Sequence, residues 1–123
     1  MLAPEMLDVI RVVAAPAAIA SISSDGVVLQ IAPDEAIILD ATDVVVDDEA
    51  AITVPDDGFV GVEMSRDRLE EWCRREAEWE LPNLVSYFTQ GMVAGLPIKI
   101  WVNGDRALVI GRTSLARDLE ERL

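Results

Sequence analysis

The side chains with the greatest capacity for chemistry in this sequence are carboxylates, and they are concentrated in one stretch. Residues 40–57, DATDVVVDDEAAITVPDD, hold seven acidic side chains and no basic one. Three interpretations are open: a divalent metal site, a pair of catalytic carboxylates, or solvated turns at a sheet edge. Calcium loops need oxygen ligands in a fixed register that neither DATD nor VVVDDEA supplies. Catalytic carboxylate pairs need unequal environments, whereas most of these acids stand beside other acids in turn positions.

We favour solvated turns, because the acids separate short apolar runs. The runs VVV and AAITV can be buried while the side chains between them stay in water. The turns are marked by Asp40, Asp43, Asp47, Asp48, Asp56 and Asp57. Acidic strand ends also discourage edge-to-edge aggregation. A surface for a basic protein partner stays open as an alternative, and so does a divalent metal site.

The sequence lacks most of the usual catalytic groups. It has no histidine, so the commonest general base and metal ligand are missing. Its one cysteine, Cys73, cannot form an internal disulfide, and no glycine-rich phosphate-binding motif occurs. The one lysine, Lys99, is the sole candidate for a Schiff base, but its alternating context is typical of an outward-facing strand residue. We therefore expect no catalytic residue, no metal ligand and no cofactor.

The net charge of −13 is unevenly distributed along the chain. Residues 25–63 carry eleven acids and no base, whereas residues 64–123 carry ten acids and nine bases. An acidic field of this kind repels nucleic acid and anionic lipid, so we expect neither as a partner. The apolar N-terminal run has Glu5 and Asp8 where a signal peptide would be basic, and it is too short to span a membrane. These features predict a cytoplasmic protein.

Hydrophobic patterning predicts an α+β fold with short antiparallel strands. Two helices are indicated: a central helix over about 65–79, with Ser65 as N-cap, and a C-terminal helix over about 113–123. An opening helix over 4–14 is also predicted, with Pro4 in its first turn. Strand-like runs lie at 27–32, 36–41, 44–46, 50–54 and 58–64, followed by a hairpin over 96–111 around Asn103-Gly104. The predicted organisation is an N-terminal helix or arm over 1–26 and a single α+β domain over 27–123.

Aromatic residues offer one further candidate site. Trp72 lies on the apolar stripe of the central helix with Leu69 and Cys73, which predicts a place in the core. The stretch EWELPNLVSYFTQG looks irregular, and aromatic side chains in such a stretch often anchor a partner. The candidate partner interface consists of Trp79, Pro82, Tyr87 and Phe88. Burial of these residues in the core is the alternative that we favour.

Several motifs resemble those of the gamma subunit of heterotetrameric sarcosine oxidase, a relative of the folate-binding domain of the glycine-cleavage T-protein. VLQIAPDEAIIL resembles the strand pair of that family around its Pro-Asp-Glu turn. Three further segments resemble the later strands and helices of that family: GFVGVEMSRDRLEEW, AGLPIKIW and NGDRALVIGRTSLARDLEERL. The resemblance covers residues 27–41 and 58–123. Arg66 stands where the family usually has a Gly-Pro turn, and the family's members are longer.

The resemblance implies a non-catalytic subunit. In that family the flavin, the nicotinamide dinucleotide and the amine chemistry belong to other chains, and no residue here matches the acidic folate ligand of the aminomethyltransferases. We therefore expect an accessory or assembly subunit that binds a larger redox or one-carbon enzyme. Two alternatives stay open: a stand-alone folate-like binding module, and a homo-oligomer without enzymatic activity.

Overall fold

A computed structural model describes residues 2–123 and has the α+β class predicted from the sequence, with mostly antiparallel sheets and a few short helices. The chain separates into two compact units. One unit is Leu7–Asp57, and the other combines residues 2–6 with residues 58–123. The predicted division at residue 26 stays a prediction, and the compact units have other bounds.

The unit Leu7–Asp57 is built on a four-stranded antiparallel sheet. Its strands are β2 (Val9–Val13), β4 (Val27–Ala32), β5 (Glu35–Leu39) and β7 (Ile52–Pro55), in the spatial order β4-β5-β2-β7. A short helix, α1 (Pro16–Ala20), packs on one face through Ala18 and Ile19. Two short strands, β3 (Ser23–Ser24) and β6 (Val44–Val45), form a separate pair.

The predicted opening helix over 4–14 is wrong. The structure has strands there, β1 (Glu5–Met6) and β2, and the helix of this region begins at Pro16 instead. The physical reason is that β2 is rich in β-branched residues, which lose side-chain freedom in a helix and pack well in a sheet. β2 pairs with β5 on one side and β7 on the other, which satisfies its backbone hydrogen-bonding groups. The spacing of apolar residues within 4–14 gives no information about these distant partners.

The second unit is a five-stranded antiparallel sheet that carries two helices. The strands β8 (Phe59–Ser65), β9 (Ser86–Val93), β10 (Leu96–Asn103) and β11 (Arg106–Arg112) join β1 in the order β1-β8-β11-β10-β9. Helix α2 (Arg66–Glu76) follows β8, and a single 3₁₀ turn (Thr113–Leu115) leads into α3 (Ala116–Arg122). The central and C-terminal helices predicted from the sequence are thus present, with α2 shorter than expected.

The core of this unit lies between the sheet and its helices. Leu69, Trp72 and Cys73 of α2 pack against alternate residues of the strands, among them Ile98 and Ile100. Trp72 and Cys73 are each 3% exposed, which confirms the predicted apolar stripe. Ser65 caps α2 as predicted, because its hydroxyl accepts a hydrogen bond from the Arg68 N–H at 3.2 Å.

Two tight hairpins order the strands around β10. The hairpin from β10 to β11 has Asn103 paired with Arg106, so its central residues are Gly104 and Asp105, one position later than the Asn-Gly pair that the sequence suggested. The hairpin from β9 to β10 turns at Ala94 and Gly95, both with positive φ. Positive φ at both central positions gives the twist that a two-residue hairpin requires.

Candidate docking site between α2 and β9

The candidate site is the connection between α2 and β9, residues 77–85. Helix α2 ends at Glu76, and no regular element follows until β9 begins at Ser86. The connection begins at Ala77, whose N–H still donates to the Cys73 carbonyl at 2.9 Å. Irregular segments of this length are often mobile, but this one is fixed to the sheet at two points.

The first anchor is Trp79. Its indole N–H donates to the Met92 carbonyl on β9 at 2.8 Å. The ring lies against Gly91, where an added Cβ would come within 2.5 Å of ring atoms Cε2 and Cζ2. Gly91 is therefore needed for the indole to approach the strand this closely. The half-buried ring also packs against the core that lies between α2 and the sheet, called the α2 core below.

The second anchor is Arg66, at the start of α2. Its guanidinium donates from Nη2 to the Leu84 carbonyl at 2.6 Å and from Nη1 to the Val85 carbonyl at 3.0 Å. Its Nε pairs with Glu70 Oε1 at 2.9 Å, which fixes the direction of the guanidinium. The Gly104 N–H also donates to the Val85 carbonyl at 3.0 Å. The backbone at residues 84 and 85 is thus held by charge-assisted hydrogen bonds.

The side chains on this fixed backbone point into solvent. Leu84 is 59% exposed and Val85 is 76% exposed. Two adjacent apolar side chains with this exposure lie on a backbone that needs little further ordering, so a partner could bury them at low entropic cost. Both residues lie in the stretch EWELPNLVSYFTQG, but the sequence analysis selected only its aromatic residues and Pro82, because aliphatic side chains are a weaker signal of an interface.

The four residues of the predicted partner interface do not form one continuous patch. Trp79 and Pro82 are half-buried in the connection, whereas Tyr87 and Phe88 belong to β9. Side chains alternate along a strand, so Tyr87 lies in the α2 core and Phe88, half-buried, lies on the opposite face. The structure brings Trp79 together with Leu81 at the α2 core instead.

A groove of about 430 Å³ lies between α2 and the connection. Its apolar lining comes from Cys73, Trp79 and Leu81. Its charged lining comes from Glu70, Glu78, Glu80 and Arg74. Three carboxylates against one guanidinium make the groove acidic. We refer to it below as the α2 groove.

Burial affects two titratable side chains near the groove, Cys73 and Tyr87. Burial raises the pKa of the Cys73 thiol to about 11, so very little of the reactive thiolate exists at pH 7. Burial also raises the pKa of Tyr87, against the opposing effect of the Arg66 charge. The Tyr87 hydroxyl is buried and has no hydrogen-bond partner within residues 2–123.

A second cavity, of about 500 Å³, lies along α2, with lining residues from Asp67 to Arg75. Its lining includes two acids of α2, Asp67 and Glu71, and two bases, Arg68 and Arg75, so these side-chain charges balance. Lys99, the candidate for a Schiff base, lies half-buried in the middle of β10, on the face opposite Ile98 and Ile100.

Two acids of the Leu7–Asp57 unit, Asp25 and Asp48, accept hydrogen bonds from the backbone of distant or neighbouring turns, and the sequence did not reveal this. Asp48 belongs to the acidic stretch 40–57. Outside the stretch, the Asp25 carboxylate accepts from the Thr42 hydroxyl, from the Asp43 N–H at 2.9 Å and from the Thr42 N–H at 3.0 Å. These hydrogen bonds lower the pKa of Asp25 to about 2, and the bond from the Thr42 hydroxyl makes the largest contribution. The Ala15 N–H, and then the Ala50 N–H, lower the pKa of Asp48 in the same way.

Most acids of residues 40–57 are exposed, as solvated turns require, but the runs between them are not buried as the sequence suggested, since Val45, Ile52 and Val54 are exposed. Asp40, Asp43, Asp47 and Asp57 are all exposed, and Asp40 adopts a positive φ of 55°. Asp tolerates that conformation better than most residues. Across residues 2–123, no three Asp, Glu, Cys or His side chains come together as a metal ion would need.

Comparisons with protein-family models, with curated proteins and with solved structures find no match to this chain. In the described part of the chain, residues 2–123, no helix has the length and apolar character to cross a membrane. The geometry of the connection between α2 and β9 therefore carries the functional argument.

Proposed function

We propose that this chain is a non-catalytic accessory or assembly subunit that binds a larger protein partner in the cytoplasm. The observation that carries the proposal is the pair Leu84 and Val85, 59% and 76% exposed, on a backbone fixed by the Arg66 guanidinium. Exposed apolar side chains on a pre-ordered backbone are what a protein interface uses to gain affinity without an ordering cost.

The resemblance to sarcosine oxidase gamma suggests what the partner is. It supports a sarcosine-oxidase-gamma-like fold and a partner that performs redox or one-carbon chemistry. Arg66, which departs from that family's Gly-Pro turn, has a definite use in this fold, because it holds the residue pair proposed for docking. The lack of histidine and the raised pKa of Cys73 agree with a subunit that leaves chemistry to its partner.

Recovery of the tagged chain from its own cells tests the proposal. We expect a larger enzyme to co-purify in fixed stoichiometry with the natural chain and to be lost from a Leu84→Ser, Val85→Thr variant. The matched control is an Ile52→Ser, Val54→Thr variant, since these residues of β7 are 57% and 44% exposed. Absence of any larger partner, or equal loss from the control, would reject the proposal.

The size of the α2 groove favours a second candidate, a small-molecule binding module. A volume of about 430 Å³ lies within the range of ligand cavities. The groove's excess of carboxylates opposes the negatively charged tail of a folate, however. Titration with tetrahydrofolate, followed by tryptophan fluorescence, tests this candidate because Trp79 lines the groove. A flat titration would exclude the folate-binding candidate.

The remaining alternative, a homo-oligomer without enzymatic activity, would be identified by light scattering.

A further inference from the structure

The α2 groove has features of an interaction surface beyond the exposed Leu84 and Val85. We propose that it receives a basic, apolar-flanked segment of the protein partner, with arginine or lysine side chains facing Glu78 and Glu80. This inference rests on the proposed function and specifies the chemistry of the partner.

The charge of the groove is the first argument. Glu70 already pairs with Arg66 at 2.9 Å, so its charge is satisfied within the chain. Glu78 and Glu80 are exposed and form no ion pair with any Arg or Lys of residues 2–123. Arg74 is the one guanidinium in the lining and offsets only part of the negative charge. A partner with basic side chains would complete the pairing, and an acidic one would be repelled.

The apolar lining is the second argument. Ala77, Trp79 and Leu81 give the groove a half-buried apolar surface beside its carboxylates. A side chain such as arginine has an apolar stem and a charged head, so it can use both parts at once. An indole beside carboxylates also favours a cation, because the ring face attracts positive charge.

The rigidity of both walls is the third argument. One wall is helix α2, capped by Ser65, and the other is the connection held by Trp79. The same connection carries Leu84 and Val85, which adjoin the start of β9, whereas Trp79 contacts Gly91 and Met92 near the end of that strand. Only an extended segment could bury the apolar pair and also reach the acidic groove, so a protein segment fits the surface better than a small organic cation alone.

Peptide titration of the full chain, followed by NMR, tests the inference without the natural partner. The probe is a short amidated peptide of leucine, alanine and arginine, and its control has glutamate in place of arginine. We expect the arginine peptide to shift the Trp79 indole N–H and the amides of Glu78 and Glu80, and the glutamate peptide to shift none. Arginine amide alone should shift them far less; equal shifts would overturn the inference in favour of a small cation.

Charge-neutralising variants locate the binding. A Glu78→Gln, Glu80→Gln variant should bind the arginine peptide roughly 3- to 10-fold more weakly and with less salt dependence. An Asp47→Asn, Glu49→Gln variant has the same change in net charge at exposed acids of the other unit and should bind as the natural chain does. Equal weakening in both variants would mean general charge attraction and would overturn the inference.

The partner complex separates failure of this inference from failure of the proposed function. If a larger enzyme co-purifies and the Glu78→Gln, Glu80→Gln variant binds it with unchanged affinity, the groove inference is overturned while the proposed function stands. If no larger protein co-purifies, the proposed function fails, and the inference that rests on it fails too. Weaker binding of the enzyme by that variant, with the control unchanged, supports both.

Discussion

At the scale of single residues, burial decides how the few reactive groups behave. Cys73 is 3% exposed and its thiol pKa is raised to about 11, so we expect it to resist alkylation in the folded protein. Iodoacetamide labelling at pH 8, with and without denaturant, measures this by mass spectrometry. We expect labelling to be at least about a hundred times slower in the native state, since thiolate is scarce and access is blocked. Rapid labelling of the native protein would mean that the apolar face of α2 becomes accessible to solvent.

Tyr87 provides a second prediction at this scale. Its buried hydroxyl has no hydrogen-bond partner within residues 2–123, so it contributes a desolvation cost without a compensating bond. Tyr87→Phe should leave the free energy of unfolding unchanged or raise it by up to about 1 kcal/mol. Urea denaturation measures the difference, with Tyr87→Leu as the control that removes ring packing and should destabilise. A clear loss of stability in Tyr87→Phe would show that the hydroxyl is satisfied in solution.

At the scale of elements, Gly91 on β9 links the strand to the connection. Gly91→Ala places a Cβ 2.5 Å from the Trp79 ring and should displace the indole from the Met92 carbonyl. We expect a loss of about 1–3 kcal/mol in unfolding free energy and a shift of the Trp79 fluorescence to longer wavelength. Gly111→Ala on β11 is the matched control, because its nearest neighbour is Leu119 Cδ2 at 3.6 Å. Similar losses in the two variants would contradict the proposed anchor.

Asp25 links two turns of the Leu7–Asp57 unit and predicts a pH dependence. Its folded pKa of about 2 lies below its ordinary value of 3.8, so its stabilising effect is present above pH 4 and is lost as the pH falls towards 2. Asp25→Asn should therefore be less stable than the natural chain at pH 7, and the difference should shrink between about pH 4 and 2. Urea denaturation across this range measures it, with exposed Asp47→Asn as the control. A constant difference would rule out the carboxylate as the cause.

At the scale of the whole molecule, charge controls association. The net charge of −13 and the isoelectric point of about 4.1 predict strong mutual repulsion at pH 7 and almost none near pH 4. Exposed apolar side chains such as Val85 and Met92 would then be free to associate between molecules. We expect light scattering to show aggregation as the pH falls towards 4. An unchanged particle size across that range would show that charge repulsion is not what keeps the molecules apart.

Local sequence determined most of the elements, because their signals act over a few residues. The strand β4 has the bounds that were predicted, and Ser65 caps α2 as predicted. The run of turn-forming acids between short apolar segments indicated exposed turns, and most of those acids are exposed. These features depend on capping, turn geometry and alternation, which are properties of neighbouring residues.

Tertiary structure decided what depends on partners far along the chain. Segment 9–13 became a strand because β5 and β7 pair with it, and the stretch that looked irregular contains β9 because β10 pairs with it. The backbone of residues 84 and 85 is held by Arg66, which lies 18 and 19 positions earlier in the chain. The Trp79 ring can lie against β9 only because Gly91 has no side chain. Hydrogen bonds and close approaches between distant residues leave no periodic trace in a sequence. The candidate docking site could therefore be located only in the folded chain.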